Sequence, residues 1–131
     1  IIMSEVLEHL RYPEDVLRTL VPHAKRFLIT VPNSAAYTFR YGLMFRGRFF
    51  TQWVRHPSEH LRYWSHIDFL DWLSAMGLAV EQSIPSDGFL WRRFPILSRL
   101  WKNLLAYRLV YDCRPMVHSD HPHGPKKDRI H

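Results

Sequence analysis

One cysteine among 131 residues, Cys113, leaves no internal disulfide framework to build, and such sparing use fits a reducing, cytoplasmic setting. No apolar run approaches the roughly 18–20 residues of a membrane-crossing helix, so no transmembrane segment is expected. The apolar start has no basic stretch ahead of it and does not read as a signal peptide. Glycine is scarce, with five residues, and these nowhere gather into a glycine-rich turn. There is no internal repeat. Acidic residues are also few, 12 against 18 Lys and Arg, for a net charge of +6. That surplus attracts anions of many kinds without selecting one, and Lys126, Lys127 and Arg129 supply part of it from the tail.

Apolar material, by contrast, is plentiful. Hydrophobic residues make up 47% of the chain, including five Trp, six Tyr and eight Phe, ample for one ordinary core. The expectation is a single domain over residues 1–115, followed by a mobile tail, 116–131, rich in His, Pro and Lys.

Residues 1–33 carry the clearest pattern. Ile1-Ile2-Met3 fits the exit of a buried strand. Pro13 suits a first helical position, where its missing N–H has no partner, and Glu14 and Asp15 favour the positive helix end. Val16, Leu17, Leu20 and Val21 form the inward stripe, and Pro22 stops the helix. Phe27-Leu28-Ile29-Thr30-Val31 is nearly continuous in hydrophobicity and predicts a central strand rather than a solvated edge, ended by Pro32 and Asn33. Strand, helix and strand in this order predict a parallel α/β unit with a ligand crevice beyond the strands' carboxyl ends.

Further on, a short helix over Tyr37 to Phe45 leads into a long aromatic and arginine-rich loop running to His60. Ser65 to Gly77 has a helix signature at both ends: Ser65 with Asp68 as a capping pair and Gly77 as a left-handed cap. Leu78 to Ile84 predicts a strand entering a Pro85-Ser86-Asp87-Gly88 turn. Pro95 or Ile96 to Leu105 predicts one helix. Tyr107 to Cys113 predicts a last strand with Leu109 and Tyr111 on one side and Arg108 and Val110 on the other.

The run Met3-Ser4-Glu5-Val6-Leu7-Glu8-His9-Leu10, then Pro13-Glu14-Asp15-Val16-Leu17, then Ile29-Thr30-Val31-Pro32-Asn33, resembles the carboxyl half of a class I S-adenosylmethionine-dependent methyltransferase. Arg46-Gly47-Arg48, His60-Leu61-Arg62-Tyr63-Trp64-Ser65 and Asp68-Phe69 look most like its MetW methionine-biosynthesis group. The resemblance spans about residues 1 to 113. It implies a partial Rossmann-like sheet with strands equivalent to the family's fourth, fifth, sixth and seventh, the last inserted antiparallel between the fifth and sixth, and helices on the sheet faces. It also implies S-adenosyl-L-methionine as cofactor and methyl transfer to a small-molecule acceptor, once an upstream cofactor-binding half is present. The family's glycine-rich turn and ribose-binding acidic residue do not precede Ile1, so the chain reads as a fragment whose first strand has an open edge. That edge gives a reason to look for a homodimer. The alternative is a MetW-like, weakly catalytic or non-catalytic partner of a methionine-biosynthetic acyltransferase.

The same resemblance implies the site residues. Ser4 and Glu5 border the cofactor; Glu8, Asn33, Tyr37, Arg40, Arg46 and Arg48 bind the acceptor, the arginines pairing with a carboxylate or phosphate. His9 and His60 serve as bases where the acceptor is a hydroxyl or protonated amine; otherwise positioning alone lowers the barrier. Each has a plain structural alternative: Glu8 and His9 tie the next helix, Asn33 holds its own turn, and the arginines solvate a surface. The aromatic and basic mixture from Tyr37 to Arg62 equally suits a protein interface. Single-stranded nucleic acid is a weaker reading, since no recognised motif accompanies the mixture. Cys113 with His118, His121, His123 and His131 suggests adventitious metal capture by the tail, and no metal site is assigned.

Overall fold

The computed structural model describes residues 1–48, 60–87 and 93–116. Among these, four strands form one sheet in the order β1-β2-β4-β3. β1 is Ile2–Ser4, β2 Phe27–Pro32, β3 Leu78–Asp87 and β4 Arg108–Pro115. β1 runs parallel to β2, with Met3 opposite Ile29, so both carboxyl ends open at the same sheet edge. β4 runs antiparallel to both β2 and β3, inserted between them. The result is a mixed α/β fold with a partly antiparallel sheet flanked by helices, a Rossmann-like arrangement.

Alternation along the strands fixes the core. Phe27, Ile29 and Val31 of β2 face Cys113, Tyr111 and Leu109 of β4 in register, and all six are buried. Met3, Leu7, Leu17, Phe69, Leu73 and Leu78 complete the cluster. β2 is an interior strand, as expected, between β1 and β4, whereas the expectation that the first strand is covered on both faces needs correction, because Ile2 is 76% exposed; Leu28 of β2 is also 37% exposed. A near-continuous apolar run conceals the period of two that the fold uses, since Leu28 and Thr30 fall on the side away from the cluster.

α1, Pro13–Leu20, starts with Pro13 in its first turn and buries Leu17; Pro22 lies in the 3-10 turn Val21–His23 that follows. α2 is Tyr37–Arg46, closed by Gly47 at φ 61. α3, His66–Ala75, is opened by a full capping box: Ser65 Oγ accepts from the Asp68 N–H, and Asp68 Oδ2 accepts from the Ser65 N–H. Gly77 follows at φ 80.

Two predicted boundaries change. The single helix expected over 95–105 is two, α4 Pro95–Leu100 and α5 Lys102–Leu105, because Trp101 takes φ −119, ψ 54 between them. β3 runs past Pro85 to Asp87 instead of turning there. A register shift between Pro85 and Asp87 accommodates the proline, which has no N–H for the ladder. Gly88, the last residue of that predicted turn, lies outside the described residues, as do Phe49 through Glu59 of the long loop and His118, His121, His123 and His131 of the tail.

Candidate functional site

At and beyond the carboxyl end of β1 lie Ser4, Glu5, Glu8, His9 and His60, five of the ten predicted residues. At the end of β1 the backbone of Glu5 swings into the left-handed region, φ 52, which few non-glycine residues adopt. Its N–H still donates to Thr30 O of β2 at 2.9 Å, while its carboxylate pairs with Arg108 of β4. Ser4, beside it, is exposed.

Immediately after, the 3-10 turn Leu7–His9 puts Leu7 into the core and leaves His9 at the surface. Glu8 is 1% exposed, yet among the described residues neither carboxylate oxygen has a well-formed hydrogen bond from another residue. Burial pushes its pKa up, and its own backbone N–H, followed by the charges of His9 and Arg108, offsets this only in part. The backbone around it is firmly held: Leu61 and Arg62 both donate their N–H groups to Glu8 O, at 2.8 and 3.2 Å. Arg62 also donates to Arg11 O and stands 3.7 Å from Glu14. These links bring His60 against the turn, with the His9 and His60 rings 4.8 Å apart and nearly edge to face. One ligand-type atom from each of Glu8, His9 and His60 lies within 4.8 Å of the others.

A buried carboxylate without donors is a stability cost, of about 1–3 kcal/mol for an unsatisfied group and more when charged. In metal-free buffer Glu8→Gln is therefore expected to stabilise the protein by about 1 kcal/mol at pH 7. The sign follows from the raised pKa: the fold disfavours the ionised form, so the cost is absent below the unfolded glutamate pKa and grows as pH rises towards the folded one. Thermal melts should show the gain at pH 7 and its disappearance near pH 4, with unchanged relative melting at pH 7 counting against an unpaired Glu8.

Asn33 lies buried at the end of β2. Its Nδ2 donates to Ala106 O at 2.7 Å, Asn103 O at 3.1 Å and Lys102 O at 3.3 Å, and its Oδ1 accepts from the Ala35 N–H. The side chain thus ties the end of β2 to α5. Tyr37 is half-buried against Tyr107, ring centroids 6.1 Å apart, and burial followed by its hydrogen bond to Tyr107 raises its pKa. Arg46 and Arg48 are exposed at the far end of α2.

Arg40 joins a different set. It donates to Ala35 O and lines a groove of about 600 Å³ with His66, Ile67, Trp101 and Lys102. Lys102 Nζ donates to Ser83 O and Oγ in a neighbouring cavity, and burial, followed by the charge of Arg99, lowers its pKa. His66 Nδ1 lies 2.9 Å from the Tyr111 hydroxyl; burial and then Lys102 lower its pKa. Sequence reasoning missed His66, Lys102 and Arg99 here, and no local motif marks them. Ser4, Glu5, Glu8 and His9 stand outside this groove.

The family model described as "Methionine biosynthesis protein MetW" matches residues 1–113. The chain belongs to the MetW family. The expected likeness to only the carboxyl half of a methyltransferase is corrected by that match, which runs over nearly the whole MetW-family chain. The link to methyltransferases rests on fold alone. A crystal structure of the small RNA methyltransferase HEN1 superposes with a TM-score of 0.57 at 18% identity, covering 92% of this chain. The MetW-family chain spans 14% of that protein's length. No curated protein sequence matches it. Among the described residues no helix is long and apolar enough to cross a membrane.

Proposed function

We propose that this MetW-family chain acts mainly by binding a methionine-biosynthetic acyltransferase in the cytoplasm, with methyl transfer weak or absent. The observation that carries this reading is α2, a ten-residue helix with no buried residue. Tyr41, Leu43, Met44 and Phe45 are all exposed on it, Met44 at 72%, among Arg40, Arg46 and Arg48. Large apolar and aromatic side chains held out beside arginines are the usual anchors of protein interfaces. The MetW resemblance is the ground for taking an acyltransferase as the class of partner.

The test is capture of the acyltransferase by the intact gene product. Met44→Asp with Phe45→Asp is expected to weaken capture by more than about tenfold while leaving the melting temperature within a few degrees, since neither residue is in the core. Undiminished capture by that double variant would sink this assignment of the surface.

A second reading, S-adenosyl-L-methionine-dependent methyl transfer to a small-molecule acceptor, is favoured by the parallel β1 and β2 opening at one edge. In it, β1, β2, β3 and β4 stand for the methyltransferase's fourth, fifth, sixth and seventh strands. Ser4 and Glu5 border the cofactor, His9 and His60 act as bases, and Glu8, Asn33, Tyr37, Arg40, Arg46 and Arg48 shape the acceptor site. Binding of labelled S-adenosylmethionine by the intact product, lost with Glu5→Ala, would favour it over partner binding.

A further inference from the structure

We propose that Glu8, His9 and His60 form a binding site for one divalent first-row transition-metal ion, with Zn²⁺ the ion of choice for testing. Three observations converge. The first is donor chemistry: two imidazoles and one carboxylate make an N₂O set of the kind that holds Zn²⁺ or its neighbours, whereas Mg²⁺ and Ca²⁺ favour oxygen alone. The second is placement, because the three ligand atoms already lie within 4.8 Å of one another, on two segments brought together from distant parts of the chain. The third is the state of Glu8. Its carboxylate is almost completely buried, although its own carbonyl receives two backbone N–H groups. Buried carboxylates are ordinarily paired, hydrogen-bonded or bound to metal, and among the described residues no ion pair and no well-formed hydrogen bond from another residue reaches either Glu8 oxygen.

The backbone around the cluster is suited to the task. Leu61 and Arg62 are hydrogen-bonded to Glu8 O, so the segment carrying His60 is fixed by main-chain contacts. A bound ion at about 2.0–2.1 Å from each ligand requires ligand atoms roughly 3.3 Å apart. The cluster must therefore contract by about an ångström or more, a movement that side-chain rotation of exposed His9 and half-buried His60 can supply. Three protein ligands leave a position for water or for an oxygen of a bound molecule, the arrangement of an open rather than a closed site. The site lies beside the carboxyl end of β1 and is independent of the α2 surface, so failure of the acyltransferase assignment would leave it standing.

The tail histidines can also capture metal, and the test has to remove them first. The full chain carrying His118→Gln, His121→Gln, His123→Gln and His131→Gln is titrated with Zn²⁺ by calorimetry, and with Co²⁺ by visible absorption. The expected result is one ion per chain, a raised melting temperature with Zn²⁺, and at least about tenfold weaker binding on adding His9→Gln or His60→Gln. Glu8→Gln, which should fold at least as well as the parent, is expected to weaken binding similarly and to abolish the Zn²⁺-dependent rise in melting temperature. Loss of all stoichiometric binding with the tail substitutions alone would overturn the proposal. So would affinity unchanged by His9→Gln and His60→Gln.

Discussion

Asn33→Ala is expected to lower stability by about 2–4 kcal/mol, read as a shift in the urea midpoint at constant slope. The side chain is 1% exposed and its amide serves three carbonyl oxygens of α5 and the residue after it. Alanine would leave those acceptors facing a void and free the Ala35 N–H as well. Asn33→Asp should be as damaging at neutral pH, since a carboxylate would point at oxygens that need a donor. A residue whose first duty was to hold an acceptor molecule would behave differently: stability would stay nearly constant and only binding would suffer. Retention of the parental midpoint in both variants would favour an acceptor-site role for Asn33 over a structural one.

The larger loss is expected from Phe69→Ala, about 3–5 kcal/mol by the usual cost of deleting a buried aromatic ring. Phe69 is fully buried between α3 and the sheet, with its ring 4.8 Å from Tyr111, 5.1 Å from Trp64 and 5.5 Å from Trp72 by centroids. Trp72 is in turn hydrogen-bonded to Glu14 of α1, so the ring is the centre of a layer that joins both helices to β4. Near-UV circular dichroism should lose much of its aromatic signal together with the drop in midpoint. Phe69→Leu, which keeps most of the volume, should cost clearly less. A loss under about 1 kcal/mol for the alanine variant would mean that α3 does not anchor on the sheet through this residue.

Local signals were the legible ones. Ser65, Asp68 and Gly77 announce the two ends of α3 because a cap is a short-range bargain between a side chain and orphan backbone groups. Pro13 and the paired acids likewise place α1, and the parallel pairing of β1 with β2 follows from the strand–helix–strand order. What depends on tertiary contact could not be read. The break at Trp101 has no proline or glycine to mark it, and the extension of β3 through Pro85 relies on a register shift against β4. The site divided the same way. His9 and His60 were both singled out, yet their meeting over a buried Glu8 depends on backbone bonds from Leu61 and Arg62 that no spacing in the sequence encodes. Asn33 was recognised as the end of β2, but its amide's attachment to α5 comes from folding of residues far downstream.

The position of β4 bears on how the molecule is made. Among the described strands it is the last to leave the ribosome, and it sits in the interior of the sheet with β2 and β3 on either side. Until Arg108–Pro115 has been translated, β2 and β3 have no common neighbour and the nascent polypeptide carries unpaired edges, so chaperone engagement during synthesis is the natural safeguard.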